Sequence, residues 1–265
     1  MEQKQLLTSN QSSSNQSSDK LLKLIEFLAI QSDPLRLTDI ANSLNMNSST
    51  ALRFLTSLIH NGYVMQEAES SKYYLTYKLC ALGQQVRNHR ELPEALKLHL
   101  KEIANTLGET VCLAVNQNDS VVYIDVAYAA EQIVKATQRI GAIAPLYCTG
   151  IGKLFLSTYT PEEIENVLNK QELIKFTEKT IVTKNALLEE IEKVKALGYA
   201  KDDEECEIGT RCLSFPIYDH AGILKAGFSI TGPSGRLTDE CMQKWIPYLR
   251  EMSTKLSSAL GFNNL

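Results

Sequence analysis

At 265 residues, 44% hydrophobic and 22% charged, the chain has room for one large or two modest globular domains. No apolar run approaches the roughly 20 residues of a membrane span, and the opening tract is too polar for a signal peptide. A cytoplasmic protein with no membrane partner is expected. The net charge of −4 is uneven: residues 18–90 carry eight Lys/Arg against six Asp/Glu, and residues 91–265 carry 18 against 24. A mildly basic module on an acidic body suits contact with nucleic acid through the first part only. The cysteines at 80, 112, 148, 206, 212 and 241 form no CxxC pair. Neither a disulfide framework nor a zinc motif is read from them, and no cofactor is expected.

Residues 1–18 are a polar low-complexity tract (SNQSSSNQSS) expected to be disordered. Asp19 is placed to cap a first helix whose Leu21, Leu24, Ile25 and Leu28 repeat at i, i+3, i+4, i+7. Thr38 reads as the N-cap of a second helix with Ile40, Ala41 and Leu44 inward, and Asn45-Met46-Asn47 as the turn after it. Asn47 or Ser48 caps a third helix. Its Ala51, Leu52, Leu55, Leu58 and Ile59 are expected to face the core, with Ser48, Ser49, Thr50, Arg53, Phe54 and Ser57 outward. Asn61-Gly62 ends that helix. Tyr63-Val64-Met65-Gln66 and Lys72-Tyr73-Tyr74-Leu75 read as two strands around a polar tip. Two short helices, a tight turn and a hairpin are the pattern of a winged helix-turn-helix over residues 19–76.

A linker helix is expected over 77–92, and residues 93–265 mix helices and strands. A helix over 93–107 stops at Gly108, and strands follow at 110–116, 121–127 and 132–138. After Pro145 a turn leads into a helix at about 149–158. Thr160-Pro161-Glu162-Glu163 is a capping box with Pro at the first helical position. A long helix covers about 184–197 and stops at Gly198. Strands at about 199–203, 211–218 and 223–231 and a final helix at about 238–260 complete an α+β, sensor-like domain.

In the third helix, Ser48, Ser49 and Thr50 suit phosphate contacts at a helix N-terminus, where amides are free. Arg53 either forks onto guanine O6 and N7 or holds a phosphate. Lys72 and Ser71 on the wing reach the minor groove or the backbone, and Arg36 adds a phosphate contact. Phe54 is either core or a thymine-methyl contact. Singly, these are caps and solvated charges; the module around them favours the DNA reading for Ser49, Thr50 and Arg53. An enzyme has little support: GxSxG and HExxH are absent, and His60, His89, His99 and His220 are dispersed. A helix-turn-helix used only for protein contact is opposed by the wing and by Arg53.

The chain resembles the IclR family of bacterial transcription regulators from about Asp19 to Gly261. The strings that carry the resemblance are LTDIANSLNMNSSTALRFLTSLIHNGYV, GETVCLAV, VVYID, APLYCTGIGK, GYAKDDEECEIGTRCLSFPIYD and SITGPSGRLT. The resemblance implies a winged helix-turn-helix, a linker helix and a GAF/profilin-like effector-binding domain. It also implies homodimers, often paired into tetramers, on palindromic promoter DNA. The family often carries a Lys before its Ser-Thr pair, where this chain has Ser48, so one cationic contact is missing. The implied effector positions are the amides of Gly150 and Ile151, with Asp202, Cys212, Ser229 and Thr231. Of these, Ser229 and Thr231 lie two apart on one strand and share a face. The string Cys148-Thr149-Gly150-Ile151-Gly152-Lys153 opens a helix, but Tyr147 and Leu154 break the P-loop pattern and Phe155 breaks GxGxxG. Amide donors with a carboxylate acceptor suit a small carboxylate such as a sugar-derived keto or hydroxy acid. The expected function is a ligand-responsive repressor of a catabolic operon.

Overall fold

A computed structural model describes residues 16–89, 94–130, 134–170 and 172–262. The chain divides into two compact units, Met1–Glu91 and Leu92–Leu265. In the first, α1 (Gln16–Ala29), α2 (Leu37–Ser43) and α3 (Ser48–His60) precede a hairpin of β1 (Val64–Gln66) and β2 (Tyr73–Leu75), followed by α4 (Lys78–His89). Leu24, Leu28, Ile40, Leu55, Leu58 and Val64 form its core. Between α2 and α3, Asn45 adopts φ 51° and the Met46 amide donates to Ala41 O at 2.8 Å. α3 stops at Gly62 (φ 73°), where the amides of Gly62 and Tyr63 donate to Ile59 O and Leu58 O. Both bonds satisfy carbonyls the helix leaves open, and the left-handed φ is one glycine adopts without a Cβ penalty.

Several local expectations need correction. α1 has begun by Gln16, so residues 16–18 are helical and Asp19 lies within the first turn rather than capping it; residues 1–15 lie outside the described residues. α2 begins at Leu37 with Arg36, not Thr38, at the N-cap. An isolated bridge between Leu35 and Tyr73, with paired backbone bonds of 3.0 and 2.7 Å, holds the chain extended just before Arg36, and the helix opens directly after it. In α3, Phe54 points inward (7% exposed), whereas Leu52 and Ile59 are 43% and 39% exposed. Ala51, Phe54, Leu55 and Leu58 make the i, i+3, i+4, i+7 face; Leu52 sits 100° around the helix from Ala51.

The second unit starts with α5 (Glu94–Leu107), β3 (Thr110–Gln117), β4 (Ser120–Ala127), β5 (Ile143–Pro145) and α6 (Gly150–Leu156). α7 (Pro161–Lys170), α8 (Lys184–Leu197), β6 (Ala200–Asp203), β7 (Thr210–Tyr218), β8 (Leu224–Pro233) and α9 (Asp239–Ala259) complete it. Its six strands form one antiparallel sheet in the order β5-β4-β3-β8-β7-β6. Val111, Leu113, Leu213, Phe215, Phe228 and Ile230 line one face under α5 and α9. The opposite face carries Ala114 and meets α6 through Ile151 and Phe155.

A further correction concerns the strand expected at 132–138. Residues 134–138 form none, and residues 131–133 lie outside the described residues. Side chains take the carbonyls that a ladder would use: Arg236 donates to Val134 O, Thr110 to Ala136 O and Tyr128 to Gln138 O, each at 2.9 Å. β5 takes the sheet edge instead, pairing Ile143 with Val122. Among the described residues, no helix is long and apolar enough to cross a membrane.

Candidate functional site

In the first unit α3 presents a polar face. Ser48, Ser49, Arg53, Thr56 and Ser57 are exposed along it, and Thr50 is half-buried. Asn47 caps the helix in extended conformation without a side-chain bond; its carbonyl accepts the Thr50 amide at 2.9 Å, and the Ser48 and Ser49 amides lie ahead of the helix's own ladder. The Arg53 guanidinium lies 5.5 Å from the Phe54 ring centroid, a cation–π contact that restrains the arginine at the helix surface. Leu52 is an exposed apolar residue beside it, which gives that face a methyl-bearing group in place of the buried Phe54. Arg36 is exposed at the start of α2. Lys72 is half-buried at the base of the wing, where its carbonyl accepts the Glu67 amide at 2.8 Å.

The second unit gathers a polar row on one sheet face. Asp202 pairs directly with Cys212, and Cys212 with Thr231, across β6, β7 and β8. Direct partners on antiparallel strands share a face. Thr231 Oγ1 donates to Cys212 Sγ at 3.3 Å and lies 3.3 Å from Ser229 Oγ. Ser229 pairs with Ser214 on β7 and Cys112 on β3, extending the row by one hydroxyl and one thiol. Burial pushes the Cys112 thiol up to about 12 and holds the Cys212 thiol well above its ordinary range, so both present S–H at neutral pH.

α6 lies on this face. Thr149 caps it by accepting the Gly152 amide at 3.1 Å, which leaves the Gly150 and Ile151 amides outside the helix's own ladder. Gly150 packs so tightly on β7 that a methyl there would overlap Ser214 Oγ. That hydroxyl is buried and has no hydrogen-bond partner among the described residues. The helix runs only from Gly150 to Leu156, shorter than the 149–158 expected.

Beside the row sits a charged cluster that sequence reasoning missed. Lys153 is fully buried, with its Nζ 2.5 Å from Glu205 Oε1 and 3.5 Å from Glu190 Oε1. Burial works against the ammonium, but attraction from Glu205, Glu190 and Asp202 outweighs it and raises its pKa. For the partner the balance reverses: burial lifts the Glu205 carboxyl to about 7 despite the pull of Lys153. Asp202 is also raised by burial, against a 2.8 Å bond from the Glu205 amide. In the sequence, Lys153 closes a string of small residues and residues 202–205 resemble a solvated acidic run. Nothing local marks them as partners.

A winged helix-turn-helix with an exposed arginine on its third helix, joined to an α+β unit with a polar face, defines a DNA-binding regulator class. Residues 17–68 match the IclR helix-turn-helix domain, and residues 84–258 match the bacterial transcriptional regulator IclR C-terminal domain. The HTH-type transcriptional regulator KdgR of Escherichia coli (strain K12) is 34% identical over 228 residues, 86% of each chain. The acetate operon repressor of Salmonella typhimurium is 31% identical over 226 residues, 85% of this chain and 82% of that one. The crystal structure of the Thermotoga maritima IclR superposes with a TM-score of 0.77 at 30% identity, covering 93% of this chain and 99% of the other. The chain therefore belongs to the IclR family: it is a DNA-binding transcription regulator, not an enzyme.

Proposed function

We propose that this regulator is a repressor of a catabolic operon whose hold on promoter DNA is relieved by a small carboxylate bound in the second unit. The carrying observation is the row of Asp202, Cys212, Thr231 and Ser229 on one sheet face with the start of α6 packed against it. Its hydroxyls and neutral thiols both donate and accept, and Asp202 accepts from ligand hydroxyls. The Gly150 and Ile151 amides supply donors for a ligand carboxylate, and the helix dipole there favours negative charge. A keto or hydroxy acid carries both kinds of group.

On the DNA side, Ser48, Ser49 and Thr50 hold phosphates at the start of α3, and Arg53 and Leu52 meet base edges. Arg36 and Lys72 add backbone contacts. The repressor sense is supported by the named function of the Salmonella relative. Two copies bind a palindrome with their third helices about one DNA turn, or a multiple of it, apart, and the effector shifts that spacing.

The test pairs a melting-shift screen of sugar acids, aromatic acids and short keto acids with operator binding of Asp202→Asn. The amide keeps an acceptor for the Glu205 N–H but removes the charge. The variant should bind DNA as the parent does and lose its response to the acid selected by the screen. An unchanged response would remove Asp202 from the effector site.

A further inference from the structure

Cys148 and Cys206 are 58 residues apart in sequence, yet Cys206 Sγ lies 3.2 Å from Cys148 Sγ and 3.1 Å from Cys148 O. Both are free thiols; Cys148 is buried and Cys206 half-buried. Cys148 immediately precedes the Thr149 cap of α6, and Cys206 follows the turn that leaves β6.

That turn is held firmly. Its Glu205 amide donates to Asp202 Oδ1 at 2.8 Å, while Thr177 Oγ1 and Thr180 Oγ1 donate to Glu204 O and Glu205 O, each at 2.7 Å. Glu204 itself sits at φ 61°, a left-handed conformation that these bonds maintain. The two sulfurs are thus brought together by a hydrogen-bonded turn on one side and by the residue before the capped start of α6 on the other. Among the described residues, no group of three or more His, Cys, Asp or Glu is arranged around a common metal position.

We propose that Cys148 and Cys206 are a modification site, a dithiol that hydroperoxides convert to a disulfide joining the start of α6 to the turn after β6. The half-buried Cys206 sulfur takes one oxygen from the hydroperoxide, giving a sulfenic acid and releasing an alcohol, or water from hydrogen peroxide. Cys148 sulfur then attacks it: the S–S bond forms, the S–O bond breaks, and the hydroxyl leaves with the Cys148 proton as water. A small dithiol reductant reverses the reaction by exchange. Reaching a bonded separation of about 2.05 Å needs an approach of roughly 1.2 Å, within the range of small side-chain adjustments.

The S–H contact with Cys148, together with burial, keeps the Cys206 thiol protonated at neutral pH. The first step is therefore slow and needs sustained oxidant, unlike that of exposed low-pKa sensor thiols. Resolution by Cys148 needs no diffusional encounter. The bond would tie together the two segments assigned above to effector binding, Gly150 with Ile151 and Asp202. Only that regulatory consequence rests on the effector reading; the bond itself does not.

The experiment treats the full-length protein with tert-butyl hydroperoxide, then denatures it, blocks free thiols with N-ethylmaleimide and maps peptides by mass spectrometry. The expected result is one intrachain disulfide linking Cys148 to Cys206, reversed by dithiothreitol, with the other four of the six cysteines alkylated. Hydrogen exchange on the oxidised protein before denaturation should slow at residues 150–152 and 203–206. Alkylation of Cys148 and Cys206 after other thiols have oxidised, or a bond to a different cysteine, would overturn the proposal. A bond without slower exchange would overturn the clasp between the two segments. Because the wild-type chain carries the test, no variant needs to fold. Failure of Asp202→Asn to change the acid response would leave this bond intact and is read separately.

Discussion

Gly150 is a position in the second unit with no room for a larger side chain. Alanine normally gains about 1 kcal/mol over glycine inside a helix. Here its methyl would overlap Ser214 Oγ and approach Ser214 Cβ to 3.1 Å. Overpacking of that kind costs roughly 1–3 kcal/mol and outweighs the gain. Gly150→Ala should lower the urea midpoint, and an unchanged midpoint would show that α6 sits farther from β7 than described. Glu205 sets a pH dependence. Its folded pKa of about 7 lies above the ordinary 4.5, so between those values the folded state holds a proton that the unfolded state releases. The stability associated with this proton is fully present below about 4.5 and lost as pH rises through about 7. Glu205→Gln should flatten that part of the stability–pH curve measured by thermal melting; a curve that keeps its slope would assign the titration elsewhere.

At the scale of elements, local chemistry carried most of what was legible in the sequence. The Thr160 capping box is present as read, with the Thr160 amide donating to Glu163 Oε2 at 2.8 Å and the Glu163 amide to Thr160 Oγ1 at 3.2 Å. Thr160→Ala should cost about 1 kcal/mol at an exposed helix start, seen as a lower melting temperature. No shift would mean that α7 is held by its packing alone. Gly62, Asn45 and Gly198 likewise punctuate elements where turn chemistry places them. One error came from contacts between distant residues and others from local placement. The strand expected near 134–138 fails because Thr110, Tyr128 and Arg236 claim its carbonyls, and α2 opens at Leu37, directly after the Leu35–Tyr73 bridge and ahead of the cap expected at Thr38. Phe54 turns inward because it completes a hydrophobic face that Leu52 cannot reach.

At the scale of the whole molecule, the candidate effector site was only partly legible. Alternation alone places Ser229 and Thr231 on one face, but Asp202 and Cys212 join them through strand register, which no local pattern encodes. Those residues were nominated by the resemblance to the family. Lys153, Ser214 and the Cys148–Cys206 pair were found only when the fold brought them inside. In the proposed function the polar sheet face controls a DNA-reading helix, and Arg53 is the residue proposed to read DNA most directly. The decisive measurement is fluorescence-anisotropy binding of the full-length protein to DNA from upstream of its own gene, for wild type and Arg53→Ala. Loss of one arginine–base contact is worth about 1–3 kcal/mol, so affinity should fall roughly 5- to 150-fold and discrimination against scrambled DNA should narrow. Equal affinity and equal discrimination in the two proteins would contradict the assignment of α3 as the recognition helix.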